Sequence, residues 1–401
     1  MTDQTRADPN ANSGAGETTP AVDGPCILQV LPALESGGVE RGTLEIASAL
    51  TADGFRALIA SRGGRMLAEL PRSGAEHVTL AVDSKNPWTI HKNGPRLAAL
   101  IREHDVDLVH VRSRAPAWSA HAAARMTGRP FVTTFHNAYD FRGLKRWYNS
   151  AMARGDRVIA ISDFVAEHVR SVYGVEDDRL VRIHRGVDVE IFDPARVSPE
   201  RMIQMARDWG LPDDHAVVLL PGRLTEWKGH AVLIDAMARL DREDVICLLV
   251  GGEPESRYAR ALEEQARANG LGARLRIVGN TRDMPAAYML SDVVVSASTR
   301  PEGFGRVIAE GHAMGRPVIA TEHGAAPEIL RHGDTGWLVP PGESEALAAS
   351  LERALTLSED QRQGVAERSR RLVLERFTMQ RMQEATLAVY RDLLERMPRG
   401  R

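Results

Sequence analysis

Two cysteines stand among 401 residues, Cys26 and Cys247, each inside an apolar run of strand length (CILQVL and VICLLV). A pair so far apart in sequence builds neither a zinc site nor a disulfide framework, and both read as buried thiols acting as small hydrophobes. No apolar stretch approaches the roughly 18–20 residues that would span a bilayer. Residues 1–24 have neither the basic start nor the apolar core of a secretory signal; they read as a disordered polar tail, which places the chain in the cytoplasm. A net charge of −3 gives no general attraction for nucleic acid, and none is expected as a partner. The three-glycine dinucleotide fingerprint is missing, which disfavours a nicotinamide cofactor. Lysine is scarce too: of 51 basic residues, the lysines are Lys85, Lys92, Lys145 and Lys228. A chain that writes its cations as arginine yet keeps one lysine beyond residue 200 draws attention to Lys228.

The rest of the composition is that of a globular protein, 43% apolar and 26% charged, with length enough for two domains. Apolar runs of strand length alternate with helical patterns. In the first half the strands are expected at 27–31, 57–61, 78–81, 108–111, 131–135 and 158–161, with helices at 40–53, 95–104, 117–126 and 163–173. A second series follows, with strands at 217–220, 245–250, 275–278, 293–297 and 318–320 and helices at 230–241, 257–269 and 306–314. Short continuous apolar strands between amphipathic helices specify parallel sheets covered on both faces. The fold class is therefore α/β, two doubly wound Rossmann-like sheets in tandem. Pro194, Pro199 and Pro212 mark a hinge between them. Beyond residue 343 the chain reads as helix almost to Arg396, and Leu387, Tyr390 and Leu394 give the last helix an apolar stripe that must pack on something. Two facing sheets of this kind bind ligands in the crevice at the carboxyl ends of their strands.

Four motifs carry chemistry. In Pro301-Glu302-Gly303-Phe304-Gly305-Arg306-Val307-Ile308-Ala309-Glu310-Gly311, one glutamate sits on a glycine-rich loop and a second lies one turn into a helix. The glycines admit a ligand to backbone N–H groups, the helix start favours negative charge, and carboxylates accept hydrogen bonds from sugar and ribose hydroxyls. In Pro221-Gly222-Arg223-Leu224-Thr225-Glu226-Trp227-Lys228-Gly229, two cations at a strand-to-helix turn converge on one diphosphate and stabilise the charge of its departure. The Gly37-Gly38 turn after the first strand opens a helix and offers an anion or sugar site, although such a pair is often just a tight turn. His136 stands at the carboxyl end of a strand where ligands gather, ahead of His110 on the preceding strand. Asp105-Val106-Asp107 has the look of a metal-binding acid pair but precedes a buried strand and reads as a structural turn; no metal is expected. Between Lys85 and Arg157 stand 13 Lys and Arg against 5 acids. That surplus, interleaved with Trp88, Phe141, Leu144 and Trp147, points to an anionic partner, either a membrane surface or a phosphorylated acceptor.

Taken together, SGGVER (36–41), TFHN (134–137), VIAIS (158–162), GRLTEWKG (222–229) and PEGFGRVIAEGHAMGRPVIAT (301–321) resemble the retaining GT-B glycosyltransferases, the large group of bacterial envelope mannosyl-, glucosyl- and N-acetylglucosaminyltransferases. The resemblance runs from residue 27 to about 395. It implies a tail at 1–24, an acceptor-side domain at 25–195, a nucleotide-sugar domain at 196–378, and a helix at 379–401 returning to the first domain. It further implies that Arg223 and Lys228 hold the donor diphosphate, Glu310 the ribose and Glu302 the transferred sugar. Gly303, Phe304 and Gly305 would line the sugar and phosphate through their amides, with Val307 in the same stretch. Gly37 and Gly38 would approach the phosphates, His136 the reacting carbon, and the segment around Asn280 the base. Ser162 matches a serine of the interdomain cleft. A departure from the family is His184-Arg185-Gly186-Val187-Asp188, where relatives usually have Pro-Asn-Gly-Val-Asp, so the amide's role is not carried over to Arg185. The implied function is sugar transfer from a nucleotide-diphosphate donor to a glycan or lipid-linked acceptor such as lipopolysaccharide. No cofactor is expected, and an anionic inner-membrane surface is a further expected partner. Two other readings stay open on sequence: a nucleotide-sugar binder without transfer activity, and an epimerase or hydrolase of the same architecture.

Overall fold

The computed structural model describes residues 24–35, 37–139 and 143–397. The first sheet comprises β1 (Cys26–Val30), β2 (Arg56–Ser61), β3 (Glu76–Thr79), β4 (Val106–Val111), β5 (Phe131–Phe135), β6 (Arg157–Ala160) and β7 (Leu180–Arg182). Its order is β3-β2-β1-β4-β5-β6-β7, parallel throughout. The second sheet comprises β8 (Ala216–Pro221), β9 (Val245–Val250), β10 (Leu275–Val278), β11 (Val293–Ser296), β12 (Val318–Thr321) and β13 (Gly336–Val339), in the order β10-β9-β8-β11-β12-β13 and again parallel. Central strands such as CILQV and VICLLV are buried along their whole length, because helices cover both faces. Cys26 and Cys247 sit in that interior, and burial pushes their thiols up to about 11 and about 12. Each sheet reverses its order beside its first strand, β1–β4 and β8–β11, and the loops above those reversals are where ligands are expected in folds of this kind.

Two edge strands, β7 and β13, were not expected from sequence. Both are short and only partly buried, so they lack the continuous apolar signal of their neighbours. The helix expected from Pro95 begins eight residues earlier, as Pro87–Glu103. Asn86 caps it by accepting from the Trp88 N–H at 2.9 Å, Pro87 takes the first-turn place, and Pro95 lies inside the helix. The helix expected over 230–241 stops at Met237.

The two sheets are joined twice. The Val187 N–H donates to the Phe377 carbonyl and the Met379 N–H to the Val187 carbonyl, both at 2.8 Å, so outgoing and returning chains lie side by side. The final helix, Met379–Glu395, then packs on the Gly38–Ala52 helix of the first sheet. Of the expected stripe, Leu387 and Tyr390 are buried there while Leu394 is only partly buried, its neighbour Leu393 being buried instead; Tyr390 Oη lies 2.6 Å from His110 Nδ1. A third tie is Glu328, beside the second sheet. Its carboxylate accepts from the N–H groups of Asp163 (2.7 Å) and Phe164 (2.8 Å) at the start of the Asp163–Tyr173 helix, and from His184 Nε2 (3.0 Å). Although burial opposes it, the bonds to His184 and those amides hold the Glu328 carboxyl below its usual range. Among the described residues no helix is long and apolar enough to cross a membrane.

His230 and His312 are fully buried, and burial lowers each to about 4. The folded chain thus keeps both neutral while the unfolded chain binds protons below about pH 6.5, so stability is complete above that pH and falls as pH drops toward 4. Each histidine should lower the folding constant by up to about tenfold per pH unit across that window. Urea midpoints between pH 7 and 4.5 test this, and His312→Leu should flatten the fall. Parallel curves for the two chains would contradict the assignment.

Candidate active site

The glycine loops and strand ends of the two sheets face one another. Gly37, at φ +149°, is the residue from which the Gly38–Ala52 helix starts; its carbonyl accepts from the Arg41 N–H at 3.0 Å. Ser36, part of the motif read in sequence, lies outside the described residues. Across the cleft, the loop after β11 carries Glu302, and the Arg306–Ala313 helix begins after Gly305 at φ +92°. At Gly303 the two halves touch again: a Cβ there would stand 2.4 Å from the His136 carbonyl oxygen. Behind the same loop, a Cβ on Gly324 (φ +59°) would stand 2.5 Å from the Glu302 carbonyl oxygen. Backbone packed this closely on both sides fixes where the Glu302 side chain can point.

Lys228 and Glu302 meet. Lys228 Nζ lies 2.8 Å from Glu302 Oε1, with side chains 14% and 20% exposed, and Ser298 Oγ donates to the same oxygen. Lys228 Nζ also sits 4.6 Å above the Trp227 ring. Gly229 lets this turn reach β11, since a Cβ there would be 1.8 Å from the Ala297 carbonyl oxygen. Arg223 is exposed at the end of β8. Glu310 accepts from Tyr288 Oη at 2.9 Å and from Arg306 Nε at 3.2 Å. Tyr288 is wholly buried, and burial, then the Glu310 charge, raises its hydroxyl well above the usual range, so it stays a donor.

His136 ends β5 with Nδ1 3.1 Å from Arg185 Nη2. Burial, then the charges of Arg185 and Arg112, hold it well below the usual histidine range. His110 is enclosed between Tyr390 and Thr134 and serves packing. Phe304 packs its ring on His184 and Phe377 at the hinge, leaving only its backbone to the cleft. Val307 is half-buried against the core. Asn280 is exposed beyond β10, and its Oδ1 accepts from the Gly252 N–H at 3.2 Å. Ser162 faces inward as the cap of the Asp163–Tyr173 helix, accepting from the Val165 N–H at 3.1 Å. Asp107 accepts from the Cys26 N–H at 2.9 Å and pairs with Arg129, a structural use. Among the described residues, Asp163, His184 and Glu328 could together hold a metal ion, but Glu328 already binds the backbone of residues 163 and 164 and the His184 ring.

Sequence patterns did not mark Tyr288, Ser298 or Arg306. Tyr288 and Ser298 carry no local signal, because their carboxylate partners come from other elements. Arg306 did have one, a cation directly after the glycines at a helix start.

Two family models match. One, described as "Glycosyl transferases group 1", covers residues 203–371; the other, "Glycosyltransferase Family 4", covers residues 36–191. The chain is a GT-B glycosyltransferase. A solved glycosyltransferase from Rickettsia africae is 38% identical, with a TM-score of 0.87 over 94% of this chain and 100% of that one. HepE of Anabaena, solved with UDP and glucose, is 25% identical, with a TM-score of 0.80 over 91% and 99% of the two chains. Among curated proteins, the phosphatidyl-myo-inositol mannosyltransferase of Mycobacterium leprae is 30% identical over 79% of this chain and 83% of its own length.

In this glycosyltransferase the contact at Gly303 makes a direct prediction. Gly303→Ala forces the loop and the His136 carbonyl apart by about an ångström, and turnover of the nucleotide sugar should fall about 10²-fold. Steady-state rates of the variant check this; native turnover would show that the close approach is dispensable.

Proposed function

We propose that the chain transfers a sugar, with retention of anomeric configuration and without a metal ion, from a nucleotide-diphosphate donor to an envelope glycan or glycolipid acceptor, lipopolysaccharide or a related molecule. The observation that carries this is the Lys228–Glu302 pair, with Glu310 one turn into the Arg306–Ala313 helix and His136 across the Gly303 contact. Lys228 and Arg223 would neutralise the leaving diphosphate, aided by the start of the Arg306–Ala313 helix. Glu302 would take the transferred sugar's hydroxyls and Glu310 the ribose, with Asn280 near the base and the amides of Gly303, Phe304 and Gly305 lining the donor. The acceptor hydroxyl attacks from the face the diphosphate leaves, and a departing phosphate oxygen takes its proton. No pair of free carboxylates is needed as nucleophile and acid, in contrast to glycoside hydrolases. Binding of UDP and glucose by HepE supports the donor class, and the lipid named for the Mycobacterium leprae enzyme supports a lipid-linked acceptor.

The acceptor side fits a cytoplasmic protein peripheral on the inner membrane. Trp88, Leu144 and Trp147 are 76%, 86% and 62% exposed, among Lys85, Lys92, Lys145 and Arg146. All belong to segments that follow β3 or β5, on the edge of the first sheet nearest the cleft. Phe141, read with them in sequence, lies outside the described residues. Vesicles with anionic lipid should sediment the protein at low salt and release it at high salt; equal failure to bind at both would remove the membrane from the proposal.

Calorimetric titration with UDP, GDP, ADP and CDP tests the donor reading. One nucleotide should bind selectively, and Lys228→Ala should weaken it about tenfold or more. Glu302→Gln should keep nucleotide binding but sharply lower transfer. No binding by any of the four would contradict the proposed donor.

A further inference from the structure

Arg185 occupies the position at which this chain departs from its family, and its surroundings give it work. It lies on the hinge segment two residues before Val187. Only 8% of the residue is exposed, and no carboxylate among the described residues lies within ion-pair distance. Arg185 Nη2 donates to the Gly38 carbonyl at 2.9 Å and to His136 Nδ1 at 3.1 Å, while Nη1 faces Met382 Sδ at 3.9 Å. Room for the guanidinium comes from Gly42, where a Cβ would fall 1.8 Å from Nη1. One side chain thus binds the donor-loop turn of the first helix and the ring at the end of β5.

The contact with His136 has a single sense. Guanidinium nitrogens only donate, so His136 Nδ1 must accept and cannot carry a proton there. The ring's one N–H then sits on Nε2, which is enclosed. The charged and titratable groups around the ring are Arg185 from the hinge and Arg112 and His110 from the end of β4. Glu40 and Glu45 of the Gly38–Ala52 helix and Arg306 of the second sheet face Arg185 in turn. Burial and the repulsion of Arg112 bring Arg185 down to about 9, which leaves it charged at neutral pH.

We propose that Arg185 is a positioning residue: by occupying His136 Nδ1 and the Gly38 carbonyl it locks the donor-loop turn to β5 and makes His136 an Nε2–H donor that cannot take the acceptor's proton. This rests on the transferase reading and narrows it, because it bars His136 as general base and leaves the departing phosphate oxygen to receive that proton.

Long-range proton–nitrogen correlation spectra of the full chain, with ¹⁵N-labelled histidine and no donor or acceptor, read the tautomer. His136 signals are assigned by their loss in His136→Gln. From about pH 6 to 8 the native ring should show an unprotonated Nδ1 and a protonated Nε2. Arg185→Met should give a tautomer mixture and lower kcat about tenfold or more, while Arg185→Lys, which can also only donate, should restore the single form. Gly42→Ala displaces the guanidinium without removing its charge and should shift the ring signals as Arg185→Met does. A protonated Nδ1 in the native chain, or an unchanged ring in Arg185→Met, would overturn the proposal. Once His136 is assigned, the native spectrum decides this even if the Arg185 and Gly42 variants do not fold. Since no substrate is present, failure of every nucleotide sugar to turn over would count against the transferase reading alone.

Discussion

A hydrogen atom in place of a side chain at Gly303 lets the loop of one sheet lie against the backbone of the other. With the His136 carbonyl in front and Gly324 behind, the Glu302 loop has no freedom to move away from the cleft. That restraint aims a carboxylate at the position where Lys228 arrives from β8, and Ser298 fixes the same oxygen. Catalysis by electrostatic stabilisation depends on groups being in place before charge develops, and backbone-on-backbone packing is a stiff way to hold them. The second carboxylate is held differently, by a buried tyrosine and an arginine of its own helix.

The connections between the halves set how the cleft can close. The paired backbone at Val187 and Met379 makes a narrow double crossing, and Glu328 adds a contact from the second sheet to a helix start on the first. A carboxylate on free N–H groups at a helix terminus is favoured by both hydrogen bonding and the helix dipole. Closure of the cleft over a bound donor would exclude water during transfer. Arg185, on the same crossing segment, links hinge and donor loop directly.

Much of the fold was legible because buried parallel strands announce themselves as continuous apolar runs, as CILQV and VICLLV do. Edge strands β7 and β13 were not, since half-buried residues carry no such pattern. Glycines and their neighbouring charges made Glu302, Glu310, Arg223 and Lys228 conspicuous. Their partners Ser298 and Tyr288 were invisible, since nothing in a local window tells which buried hydroxyl will meet which carboxylate. Arg185 was visible only as a departure from the family pattern. The room that Gly42 leaves for it appears only when the two segments are brought together.

The central claim is that the donor is gripped by both halves at once. Hydrogen–deuterium exchange with and without the nucleoside diphosphate that binds best tests it most directly. Slowed exchange is predicted in residues 37–42, 222–229 and 301–311 together, because the diphosphate should draw the Gly37–Gly38 turn toward the Lys228 and Glu302 loops. Protection confined to either half alone, or absent from all three segments, would contradict the account.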